Sequence, residues 1–182
     1  MTKKPTLNAL AALALAGLLA APASAGSPVL VTLTGSLDNT NRGPMDPDRD
    51  KLFLFTGVEF EAAHALDHGA LTALPQAEVA ADFPRGEEEV TFRGPRFADL
   101  LDAAGARGET VIVQALDGYA VEVPRAELEA KGAILALELD GEPLGIGGMG
   151  PAMVAFPRAE RADLADMPDD WWVWQVFHIR VE

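Results

Sequence analysis

Short apolar runs, several of them β-branched, recur along this chain between turn signals and read as closely spaced strands with a few short helices. Val29 to Gly35 (VLVTLTG) is a β-branched run closed by glycine and reads as a first strand. Asp38 to Arg49, rich in Asn, Pro and Asp, follows as a long loop, and Leu52 to Phe60, whose alternation is poor, is read as a second strand. Asp67 precedes Ala70, Leu71 and Leu74, with Pro75 as a stop, which predicts a short helix with an acidic N-cap. A strand over Val90 to Arg93 leads into Phe97, Leu100, Leu101 and Ala104, the spacing of one helix face, ended by Gly105. Further strands are expected at Thr110 to Leu116, Tyr119 to Val123, Ala133 to Leu139, Ala152 to Phe156 and Trp171 to Val181. In the stretch ALDGYAVEVPRAELEAKGAILALELDGEPL (Ala115 to Leu144) a short helix stands between two strands, with turn signals at both joints. Closely spaced strands with a few short helices predict an α+β fold in one domain.

The N-terminus breaks this pattern. Lys3 and Lys4 precede an apolar run from Leu10 to Ala21 and the small-x-small triplet Ala23-Ser24-Ala25, the three parts of a secretory signal peptide. The run is short for an uncleaved membrane anchor, which needs about 20 apolar residues. The expected division is therefore a signal peptide over residues 1–25 and one domain over 26–182. Removing 25 of the 182 residues leaves 157, and because two lysines and no acids are lost, the formal charge moves from −14 to −16. So acidic a surface disfavours nucleic acid and anionic lipid. An exported chain without cysteine has no disulfide and must be held by its core. The expected location is the periplasm of a two-membraned bacterium.

Most chemical motifs dissolve on inspection. Asp46, Asp48 and Asp50 imitate the start of a calcium loop, but Lys51 stands at the sixth position and Gly57 at the twelfth, which leaves a solvated acidic loop. His64 and His68 have helical zinc-ligand spacing, yet a helix capped by Asp67 excludes His64 and no third ligand is evident. Gly145, Gly147 and Gly150 form a GxGxxG string that runs into Pro151 and a β-like segment instead of a helix, so it reads as a turn permitting close backbone approach. Ser27 and Ser36 are the serines after the leader and neither sits in a nucleophile elbow.

The ending DDWWVWQVFHIRVE carries more. As a strand it places Val173, Phe177, Ile179 and Val181 on one face, with Trp172, Trp174, His178 and Arg180 on the other. Core packing and a stacking surface for a flat ring both account for the tryptophans.

The order of segments supplies a resemblance. LTALPQAEV (Leu71 to Val79), VTFRGPRFADLLDAAGA (Val90 to Ala106), LDGYAVEVPRAEL, LALELDGEPL, GPAMVAFP (Gly150 to Pro157) and WVWQVFHI, preceded by TLTGSLDNTN (Thr32 to Asn41), resemble in content and order the small bacterial relatives of the sulfite oxidase molybdopterin-binding domain. That resemblance implies the sulfite oxidase-like fold, a mixed β-sheet with short helices. It also implies a molybdenum-ligating cysteine shortly after the strand in QAEVAADFP (Gln76 to Pro84). Ala81 stands about there and cannot coordinate, so no molybdenum is expected. Many small relatives carry tryptophan where this chain has Arg85, and Tyr119 resembles a tyrosine that edges the substrate pocket of the enzymes.

A molybdopterin pocket without its metal leaves a cleft for a pterin. Small exported domains of this kind resemble pterin-binding regulators that dock on the periplasmic sensor region of membrane signalling enzymes, notably those controlling cyclic di-GMP. The reading is a non-catalytic periplasmic pterin-binding protein, with Phe83, Arg85, Asp117, Tyr119 and Met149 edging the pocket and Trp172 or Trp174 stacking on the ligand. Asp117 would accept hydrogen bonds from the amino edge of the ring, and Arg85 would replace a stacking aromatic or mark a lost contact. A divergent molybdopterin-dependent oxidoreductase or accessory subunit, and an interaction domain with an empty pocket, are the alternatives.

Overall fold

The computed structural model describes residues 27–182, and the expected signal peptide lies outside the described residues. The chain runs β1 (Val29–Gly35), α1 (Lys51–Phe55), β2 (His64–Asp67), α2 (His68–Ala73), β3 (Gln76–Ala81), β4 (Val90–Pro95), α3 (Phe97–Ala103), β5 (Thr110–Ala115), β6 (Ala120–Pro124), α4 (Arg125–Ala130), β7 (Ile134–Ala136), β8 (Glu138–Leu139), β9 (Glu142–Pro143), β10 (Met153–Ala155) and β11 (Val176–Val181). Short 3-10 turns at Ala162–Leu164 and Asp169–Trp171 bridge β10 and β11. A five-stranded sheet has the order β2-β1-β11-β5-β6, a four-stranded sheet β3-β4-β8-β9, and β10 pairs with β7. Only β1 and β11 run parallel; the other pairs are antiparallel. The fold is α+β, as expected. No helix among the described residues is long and apolar enough to cross a membrane.

The main core is filled from both larger sheets. Val31 and Leu33 of β1, Val111 and Val113 of β5 and Ile179 and Val181 of β11 meet Phe97, Leu100 and Leu101 of α3 and the fully buried β7 and β10. At 20–33 cal/mol per Å² of apolar surface removed from water, these side chains supply the main stabilisation of a domain without disulfides. The approach of β4 to β7 is set by Gly94, since a Cβ there would collide with the Leu135 carbonyl. The glycine turn behaves similarly. A Cβ on Gly150 would strike the Leu144 carbonyl, so the close approach anticipated at Gly145 to Gly150 is made by the protein's own backbone.

Several expected elements change. Leu52 to Phe60 is not a strand: Lys51–Phe55 is a one-turn helix. Asp50 is bonded into the preceding turn, and Phe53 reaches down to a second small core with Val58 and Phe177. Ala133 to Leu139 splits into β7 and β8, which belong to different sheets. The final strand begins only at Val176, because Gln175 has φ 57°. Trp172 and Trp174 therefore lie on irregular chain, and the predicted shared face with His178 and Arg180 does not form. His178 is buried instead.

Candidate functional site

Three segments converge on a cavity of about 370 Å³. The first is the β5–β6 hairpin. Its turn, Leu116 to Tyr119, uses Gly118 at φ 91°, and the Asp117 side chain accepts from the Tyr119 N–H at 2.9 Å. Asparagine and aspartate favour such turns because the side chain replaces a backbone acceptor. The placement of Asp117 and Tyr119 relative to each other is thus set by the local turn. The second segment is Asp82 to Gly86, which follows β3 and carries Phe83. The third is Asp166 to Gln175, containing Asp169, Asp170, Trp172 and Trp174. Phe83, Asp117, Tyr119, Asp169, Asp170, Trp172 and Trp174, with Ala115, wall the cavity.

A buried arginine joins the second and third segments. Arg158, whose side chain is 1% exposed, donates from Nε to Asp82 Oδ1 at 2.5 Å and from Nη2 to the Asp82 carbonyl at 2.9 Å. Its Nη1 donates to the Met167 carbonyl at 2.9 Å and to Asp169 Oδ1 at 2.6 Å. The guanidinium also lies 4.7 Å from the Trp172 ring centroid. A buried charge is tolerated only when its hydrogen bonds are met, and here carboxylates and carbonyls meet them. Asp82 responds in kind. Its partial burial would raise its pKa, but the Arg158 and Gly86 hydrogen bonds and the nearby positive charge hold it below the usual carboxylate range.

Trp172 is 2% exposed and sits at the centre of an aromatic cluster. Phe83 stacks on it at 5.1 Å and 16°, and Phe156 meets it edge-on at 5.4 Å. Its Nε1–H is the buried side-chain polar atom without a hydrogen-bond partner among the described residues. An unmet donor of this kind costs about 1–3 kcal/mol. Trp174 and Tyr119, each 48% exposed, present open rings to the cavity. The Tyr119 hydroxyl donates to the Asp170 carbonyl at 2.9 Å, tying the hairpin to the acidic turn.

Five of the seven residues expected at the site meet here: Phe83, Asp117, Tyr119, Trp172 and Trp174. Their roles differ from expectation in one respect. The Trp172 ring is covered by Phe83 and Arg158, so Trp174 offers the accessible indole face. Arg85 does not wall the cavity; its Nη2 donates to Asp166 at 2.9 Å and its backbone N–H to Asp169 Oδ2 at 3.0 Å. Met149 does not wall it either. Its carbonyl accepts from the Gln175 N–H at 2.8 Å, so it positions the tryptophan segment from behind. Arg158, Asp82, Asp169 and Asp170 were not anticipated. The available signal was an arginine directly after the buried run AMVAFP, where a charge needs partners.

The donor set for a molybdenum centre does not fit. Ala81 is buried at the end of β3 and supplies only a methyl group, and the sequence contains no cysteine. Among the described residues no three His, Cys, Asp or Glu side chains are grouped to hold a metal ion. His64 lies in β2 with Nδ1 against the Asn39 carbonyl at 2.8 Å, and His68 opens α2, so the two do not form a zinc pair.

Residues 84–159 match the family described as "Oxidoreductase molybdopterin binding domain". That span includes the hairpin of Asp117 and Tyr119, the glycine turn and Arg158. Among solved structures the chain is similar to the sulfane dehydrogenase SoxCD from Paracoccus pantotrophus, with a TM-score of 0.57 and 14% identity. The likeness covers 83% of this chain but 37% of that one. No curated protein sequence matches. The structural likeness shows that the chain shares the α+β fold of that protein, and the similarity to the molybdopterin-binding domain family is confined to residues 84–159. This chain has no cysteine and so supplies no thiolate.

Proposed function

We propose that the protein is a non-catalytic pterin-binding domain, in which the fold of a molybdopterin oxidoreductase holds a ring instead of a metal. The observation that carries this is the cavity's composition: open faces of Trp174 and Tyr119 beside the carboxylates of Asp117 and Asp170, with no thiolate. A pterin is a planar bicycle with an amino-bearing donor edge. Offset stacking on an aromatic contributes about 0.5–1.5 kcal/mol beyond area burial. Hydrogen bonds to an ionised carboxylate are about twice as strong as neutral ones. Among the described residues, Asp117 has one oxygen bonded to the Tyr119 N–H and the other unbonded, and the Asp170 carboxylate has no hydrogen-bond or ion-pair partner.

The protein is exported in this reading, with residues 1–25 removed and residues 26–182 forming the periplasmic domain. Loading with ligand changes its affinity for the periplasmic sensor region of a membrane signalling enzyme, such as one controlling cyclic di-GMP, which requires that the free and loaded forms bind that partner differently. Calorimetry with a panel of oxidised and reduced pterins tests the central claim. Micromolar binding that is lost in Asp117→Ala and Trp174→Ala supports it; the absence of binding below millimolar concentration in a folded protein refutes it. Intact-mass analysis of exported material tests the leader, and a chain still beginning at Met1 would count against export.

A further inference from the structure

We infer that the cavity selects its occupant by charge: it takes flat rings with a neutral or protonated amino edge and excludes the same rings when they carry a phosphate or carboxylate tail. This rests on the pterin reading above and narrows it. Molybdopterin itself ends in a phosphate, so a site that kept the parent fold's ligand would need a free cation for that group. Around this cavity the balance is opposite. Asp117, Asp169 and Asp170 wall it, Asp82 shares Arg158 with Asp169, and Asp166 pairs with Arg85. Two guanidiniums face these five carboxylates, and both are engaged. Arg158 is buried with its donors spent on Asp82, Asp169 and the Met167 carbonyl. Arg85 is paired with Asp166. Asp169 is fully used, with one oxygen on Arg158 and the other on the Arg85 N–H. The Asp170 carboxylate and the second oxygen of Asp117 remain to meet a ligand.

The walls add to the same preference. Trp174 and Tyr119, both half-exposed, line the cavity, and aromatic ring faces attract cations and repel anions. An anionic tail entering here would leave water for an acidic, partly enclosed site and find no partner. A ring bearing amino groups would find two acceptors and two aromatic faces.

The test compares neopterin, neopterin monophosphate and the planar cation N-methylacridinium by calorimetry or tryptophan quenching, at about 20 mM and 200 mM salt. The expected order is acridinium and neopterin above the phosphate ester, with at least a tenfold gap at low salt that narrows at high salt as the carboxylates are screened. In Asp117→Asn/Asp170→Asn the gap should shrink several-fold. The asparagine at 117 can still accept from the Tyr119 N–H, so the hairpin should hold, which circular dichroism checks. Neopterin monophosphate binding as tightly as neopterin overturns the inference. Acridinium binding while neopterin does not would refute the pterin reading and leave charge selection standing. Binding of none of the three overturns both.

Discussion

Two buried polar clusters lie at opposite ends of the same design problem. Around His178 every group has a partner. The ring is buried beside Arg180, and desolvation first, then that neighbouring charge, lowers its pKa to about 4. The imidazole is therefore neutral at ordinary pH. Its Nδ1–H donates to Gln114 Oε1 at 3.1 Å, and Nε2 accepts from the Thr34 hydroxyl at 2.8 Å. This cluster joins β1, β5 and β11, and both ring nitrogens of His178 are occupied. Around Arg158 and Trp172 the charge is likewise satisfied, yet among the described residues the Trp172 indole N–H has no partner, and on the rim one Asp117 oxygen and the Asp170 carboxylate are left unbonded. Closed networks stabilise a fold; an open one bordering a cavity has capacity for a ligand.

The comparison can be broken most forcefully at Arg158. Replacing it with methionine strands Asp82 and Asp169 and should cost about 3–5 kcal/mol, as breaking a buried ion pair does. Urea unfolding measures this, and a loss below about 1 kcal/mol would show that the arginine does not organise the cavity.

Acid should act next, and on the other cluster. The folded pKa of His178 lies below the unfolded value of 6.5, so the unfolded chain binds the extra proton first. Stability from this group is fully present above pH 6.5, falls as the pH drops towards 4, and is then exhausted. The total is on the order of 3 kcal/mol. Denaturant midpoints between pH 7.5 and 4 should show the decline in wild type and a shallower one in His178→Gln.

Trp172→Phe should sharpen the contrast. It removes the unmet donor while keeping an aromatic ring, so lost volume and a relieved N–H partly cancel, and stability should change by no more than about 1–2 kcal/mol. Pterin affinity should fall all the same, because the smaller ring gives Phe83, which walls the cavity, a smaller stacking surface to rest on. A large destabilisation with unchanged binding would make Trp172 core and nothing more. The smallest effect is expected from Tyr119→Phe. It deletes one half-exposed hydrogen bond to Asp170, worth about 0.5–1.5 kcal/mol, and should leave the fold intact by thermal melting.

Much of the architecture was legible where periodicity and punctuation agree. β1 begins and ends at the expected residues, Asp67 caps α2 through the Ala70 N–H, and α3 stops before Gly105 at φ 62°. At the site, the DGY turn was legible because its hydrogen bond is local. Leu52 to Phe60 misled because an apolar stretch of that length fits a strand or a buried turn of helix equally, and only the contact of Phe53 with Phe177 decides.

The sequence by itself determined that this chain builds a strand-rich α+β domain, that it has no thiolate for a metal, and that aromatic residues crowd its C-terminus. Those properties depend on residue identity and on neighbours a few positions apart. Tertiary structure alone decided that Arg158 would meet Asp82, 76 residues away, that Trp172 would be sealed while Trp174 stayed open, and that Arg85 and Met149 would support the cavity from outside. Each of those outcomes depends on how distant segments pack, and the energy of a buried charge or an open indole face is fixed only by the partners that packing brings to it.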